Sequence, residues 1–119
     1  MKPSVLIVDD EEVIRNGLAR LLEDNCITYK AFNGREAIEI LDNHRDIDVM
    51  LCDIMMPEME GIETIEKIRS YNKDISIIII TAVSSPLTVC DAMRKGANYF
   101  MRKPLDINQL ELAIKSLSK

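Results

Sequence analysis

Histidine is nearly absent from this chain, and the cysteines are few. His44 stands alone, and Cys26, Cys52 and Cys90 are odd in number and widely scattered. No CxxC pair occurs. A zinc site and a disulfide framework are therefore both excluded as organising features. Positive charge is outweighed as well: the net charge is −5. An acidic domain repels phosphate backbones, so this segment is a poor nucleic-acid binder by itself. No apolar run approaches the length that spans a membrane. The opening "MKPSVLIVDDEE" turns acidic too soon for a signal peptide. Internal repeats, low-complexity tracts and linkers are also lacking. What is present is apolar content of 47% over 119 residues. That suits one compact domain, 1–119, expected to be soluble, reduced and cytoplasmic, with no membrane or nucleic-acid partner of its own.

The apolar residues alternate between two patterns. "SVLIVD" (4–9), "CITYKAF" (26–32), "DVMLCD" (48–53), "ISIIIIT" (75–81) and "NYFMR" (98–102) are short, β-rich runs that read as strands. The fourth is wholly apolar and is expected at the centre of the sheet. Between them apolar residues recur at helical spacing: Ile14, Leu18, Leu21 and Leu22, then Ala37, Ile38 and Leu41, then Ile62, Ile65 and Ile68. Asn33 caps the second helix with Glu36 as its partner. Asn33-Gly34 could mark a hairpin, but the helical period after it argues otherwise. Ser84 or Ser85 caps the fourth helix, Pro86 fits its first turn and Gly96 ends it. Asp106 caps a last helix with Ile107, Leu110, Ala113, Ile114 and Leu117. Strands alternating with helices predict a doubly wound α/β fold with a five-stranded parallel sheet.

Ligands in such folds bind beyond the carboxyl ends of the strands. Asp9 and Asp10 end the first strand, Asp53 the third and Thr81 the fourth, and Lys103-Pro104 follows the fifth. Taken singly, each has a plain reading. Asp10 serves equally as a helix cap, Thr81 as a strand residue and Lys103 as a surface lysine. Together they are far less expected by chance. Carboxylates about 4 Å apart repel by roughly 4 kcal/mol at an effective dielectric of about 20. Hard oxygen donors without soft ligands suit Mg²⁺, and a cation with an ammonium at one carboxylate would hold a phosphoryl group. His44 reads as a solvated residue at a helix end, Cys52 as sheet packing, and Met55, Met56 and Met59 as loop packing.

The stretches "VLIVDDEEVIR", "DVMLCDIMMPEMEG", "IIIITA" and "GANYFMRKPL" together resemble the receiver domain of two-component response regulators. The likeness covers essentially the whole chain. It implies the flavodoxin-like (βα)5 fold with strand order 2-1-3-4-5. It implies a phosphorylation-dependent signalling switch that takes a phosphoryl group from a sensor histidine kinase or phosphotransfer protein. By the resemblance Asp53 is the phosphoacceptor. Asp10, Asp53 and the Met55 carbonyl would ligate Mg²⁺, with Asp9 helping through water. Thr81 and the Ala82 amide would hold phosphoryl oxygens, Lys103 would pair with another, and Phe100 is the switch aromatic. The Lys103–Pro104 bond is expected to be cis. The output face would comprise helix 4, strand 5 and helix 5, roughly 86–93, Phe100 and 107–113. It would engage an effector domain or protein, or a second copy.

Phe100 lacks a tyrosine hydroxyl, so its signal would be steric and apolar. Tyr99 stands where small or polar residues are frequent. Met55 and Val83 occupy the positions flanking the path of a hydrolytic water, which implies slow autodephosphorylation. The chain would phosphorylate itself from small donors without being a conventional enzyme. Three other readings fit less well. Haloacid dehalogenase-like phosphatases carry D-x-D after the first strand, whereas Asp9 and Asp10 are adjacent here. A flavodoxin-like cofactor binder would need a Gly-rich loop where "DDEEVIR" stands. A degenerate scaffold would not keep all five chemical positions.

Overall fold

The computed structural model describes residues 2–54, 61–72, 74–82 and 86–118. The elements run β1 (Ser4–Val8), α1 (Glu12–Leu22), β2 (Ile27–Ala31), α2 (Gly34–Asn43), β3 (Val49–Cys52), α3 (Gly61–Arg69), β4 (Ser76–Thr81), α4 (Pro86–Lys95), β5 (Tyr99–Arg102) and α5 (Ile107–Leu117). The strands form one sheet of order β2-β1-β3-β4-β5, every pair parallel. This is the expected α/β architecture. One detail differs. The most continuously apolar strand, β4, is not the middle one; β3 is, and β4 lies between it and β5. Burial of β4 from Ile77 to Thr81 follows from helices on both faces, which a strand one place from the edge also has.

The alternation of side chains along each strand divides the interior in two. Leu6, Val8, Met50, Cys52, Ile77 and Ile79 face one side and pack with Ala37, Leu41, Ile65, Ile68 and Ala92 from α2, α3 and α4. Val5, Ile7, Val49, Leu51, Ile78 and Ile80 face the other and pack with Leu18, Leu22, Leu110 and Ile114 from α1 and α5. A one-residue slip in any strand would exchange the two sets. Each fully buried Leu or Ile contributes about 1.5–3 kcal/mol, so the register is strongly held.

Helix starts follow local chemistry. The Asn33 side chain accepts from the Glu36 amide at 2.8 Å, and Glu36 reaches back to the Phe32 amide at 3.0 Å. Asp106 accepts from the amides of Asn108 and Gln109. Gly96 ends α4 with φ of 131°, a conformation that side chains rarely adopt. The expected capping by Ser84 or Ser85 lies outside the described residues. His44 terminates α2 with its ring 4.5 Å from that of Tyr29. Among the described residues, no helix is long and apolar enough to cross a membrane.

Candidate functional site

Strand register assembles the site. Val8 pairs with Cys52, so Asp9 and Asp53 emerge side by side, one residue past the ends of β1 and β3. Cys52 pairs with Ile79, which sets Thr81 one residue further out on β4. Thr81 in turn pairs with Arg102, so Lys103 follows just beyond it. Backbone bonds extend this ladder past the strands: Asp53 N donates to Val8 O at 3.0 Å, and Lys103 N to Thr81 O at 3.0 Å.

The side chains converge as the spacing predicted. Asp9, Asp10 and Asp53 each bring a carboxylate oxygen within 4.8 Å of the others. Asp9 and Asp53 are buried, at 3% and 7% exposure, whereas Asp10 is exposed. The Lys103 ammonium lies 3.3 Å from Asp53 Oδ2 and 3.4 Å from Asp9 Oδ2. Burial pulls the Lys103 pKa down, but the Asp53 and Asp9 carboxylates outweigh it and hold it above the ordinary lysine value. Thr81 is buried at the same edge and Ala82 is exposed beside it. The Lys103–Pro104 peptide is cis. Phe100 is half-buried against the core under α2, α3 and α4, and Tyr99 is exposed. Met55 and Val83 lie outside the described residues.

Three carboxylates meet one ammonium here among the described residues, an imbalance that a hard divalent cation would offset. The donors are oxygens, with no soft competitor in the cluster among the described residues. The Cys52 thiol is fully buried, and its pKa is pushed far up by burial and then by the Asp53 and Asp9 carboxylates, so it stays protonated. The set thus fits Mg²⁺. A cleft of about 550 Å³ at the opposite edge, lined by Arg45, Asp48, Tyr71 and Asn72, is remote from this chemistry.

Three supporting residues had no clear signal in the sequence. Cys52 Sγ lies 3.5 Å from Asp53 O and donates to it. A Cβ on Gly61 would come within 2.4 Å of Ile54 Cα and 2.6 Å of Asp53 O. Only glycine lets α3 approach the Asp53 backbone this closely, and its place at the end of the Asp53 motif was the available hint. Arg15 Nη1 donates to Asp9 O at 2.9 Å.

Comparison with known proteins agrees with this geometry. The sequence profile of the response regulator receiver domain matches residues 5–115. The chain belongs to that family. This response regulator receiver is 38% identical over 111 residues to the transcriptional regulatory protein ZraR of Klebsiella oxytoca, covering 92% of the chain and 25% of ZraR. It is 33% identical over 112 residues to a cyclic di-GMP phosphodiesterase of Thermotoga maritima, covering 93% of the chain and 30% of that protein. The chain therefore spans only about a quarter to a third of the length of these curated relatives. Among solved structures, Vibrio cholerae chemotaxis protein CheY4 superimposes with a TM-score of 0.90 at 29% identity, covering 98% of this chain and 99% of CheY4. As a receiver domain, the chain is a phosphorylation-dependent signalling switch.

Proposed function

We propose that Asp53 is the phosphoacceptor and that a sensor histidine kinase or phosphotransfer protein is the donor, acting in the cytoplasm. The observation that carries this reading is the shared ion pair. Lys103 bridges Asp53 and Asp9 at the strand ends, beside a third carboxylate. One Asp53 oxygen attacks phosphorus. The new O–P bond forms as the N–P bond to the donor imidazole breaks, and the leaving nitrogen keeps the electron pair. Lys103 exchanges its contact with Asp53 for a phosphoryl oxygen while retaining Asp9. Thr81 and the Ala82 amide donate to the remaining oxygens. Asp10, Asp53 and the Met55 carbonyl would hold Mg²⁺, with Asp9 in support. When bound, the cation supplies the positive charge that lets phosphoryl oxygens approach the carboxylates.

The output is a change in the face made by α4, β5 and α5. Thr81 moves toward the phosphoryl group, and Phe100, which pairs with Ile79 on β4, turns further into the space beside it. Burying the rest of an aromatic ring supplies about 1–2 kcal/mol, enough to bias a two-state element. The receivers in relatives named as transcriptional regulators and as a phosphodiesterase sit in longer proteins. An effector domain, or a second copy of this chain on that face, is the fitting partner here.

The test is intact mass after incubation with acetyl phosphate. The parent gains one phosphoryl group only when Mg²⁺ is present, and Asp53→Asn gains none. A gain in Asp53→Asn overturns the assignment.

A further inference from the structure

Arg15 is oddly placed for an arginine. It stands in the second turn of α1, its amide bonded to Glu11 O at 2.9 Å, where the helix dipole disfavours a cation. It is half-buried rather than extended into water, and its guanidinium folds back to donate from Nη1 to the Asp9 carbonyl at 2.9 Å. That carbonyl belongs to the peptide joining Asp9 to Asp10. Asp9 has further anchors: its amide donates to Ala31 O at 3.1 Å, and its Oδ1 accepts from the Glu11 amide at 2.9 Å. Asp10 has no such hold. Among the described residues its exposed side chain makes no hydrogen bond or ion pair, yet it presents an oxygen within 4.8 Å of Asp9 and Asp53. Among the described residues only its backbone sets its aim.

We infer that Arg15 is a positioning residue for the metal site: by pinning the Asp9 carbonyl it fixes the Asp9–Asp10 peptide, and with it the direction of the Asp10 carboxylate. The inference rests on the proposed Mg²⁺ role of that carboxylate. A purely electrostatic role predicts the opposite sign. A guanidinium near a dication repels it, so deleting the charge would then tighten binding. Loss of positioning loosens it, as removal of groups that orient ligands commonly does, by about tenfold or more.

Mg²⁺ affinity is measured by calorimetry on the parent, Arg15→Met, Arg15→Lys and, as a remote charge control, the exposed Arg20→Met. Melting without metal checks folding, and Arg15→Gln is read in the same way if Arg15→Met does not fold. The expected result is binding roughly tenfold weaker in Arg15→Met. Arg15→Lys, which keeps a charged donor, falls within about threefold of the parent, and Arg20→Met is unchanged. Equal or tighter binding in Arg15→Met overturns the inference while leaving the metal site in place. Absence of Mg²⁺ binding by the parent overturns the metal reading itself.

Discussion

Asp9, Asp10 and Asp53 crowd against one another, and Lys103 neutralises only part of their charge. Such an edge is a cost to the fold that function requires. Asp10 is the member through which that cost shows most cleanly, because it is exposed and no hydrogen bond among the described residues depends on it. Replacing it by Asn removes repulsion without emptying a buried site. In metal-free buffer Asp10→Asn should therefore melt a few degrees above the parent, a gain of about 1 kcal/mol at a solvated pair separation. Added Mg²⁺ should then stabilise the parent and leave the variant nearly unmoved, since only binding to the native state shifts the melt. A variant that melts below the parent without metal would show that repulsion does not govern this edge.

Among the helices, α4 is the one least committed to the core. Ala92 is its only buried residue among those described, and Leu87 is 83% exposed. Its two ends differ. At the carboxyl end Ala97 N donates to Ala92 O at 3.1 Å. There Arg69 donates to Gly96 O at 2.9 Å and to Asn98 Oδ1 at 2.8 Å, and Asn98 Oδ1 also accepts from Ile77 N at 2.7 Å. These bonds tie the end of α4 to α3 and to the start of β4, so rearrangement should begin at the amino end, nearer Thr81. With beryllofluoride and Mg²⁺ as a phosphoryl mimic, hydrogen exchange should change over residues 87–90 and in β5, while Gly96 and Asn98 keep their protection. Changes confined to α1 and α2 would contradict the proposed output face.

Across the molecule, much of the plan was legible before any coordinates. Nine elements followed from apolar runs and helical spacing, the fourth helix from Pro86 and Gly96 at its ends, and two helix starts from Asn33 and Asp106. The site residues stood out because they are polar positions gathered at the carboxyl ends of the strands, and a parallel register brings such positions together. Other features were hidden because they depend on the path of the chain in three dimensions. The strand order came from the family resemblance, and the apolar pattern alone misplaced β4 at the centre. Gly61 needed the distance of α3 from Asp53, and Arg15 needed the path of the first loop. The same frame serves relatives of quite different length and output, so the central claim concerns the chemistry at its edge, that Asp53 carries the phosphoryl group. It is tested most directly by incubating the protein with acetyl phosphate and Mg²⁺, reducing with borohydride and sequencing the peptides by mass spectrometry. Borohydride converts an aspartyl phosphate to homoserine. Homoserine at position 53 alone is the predicted result; homoserine at position 9 or 10, or none in protein that has gained the phosphoryl mass, would contradict it.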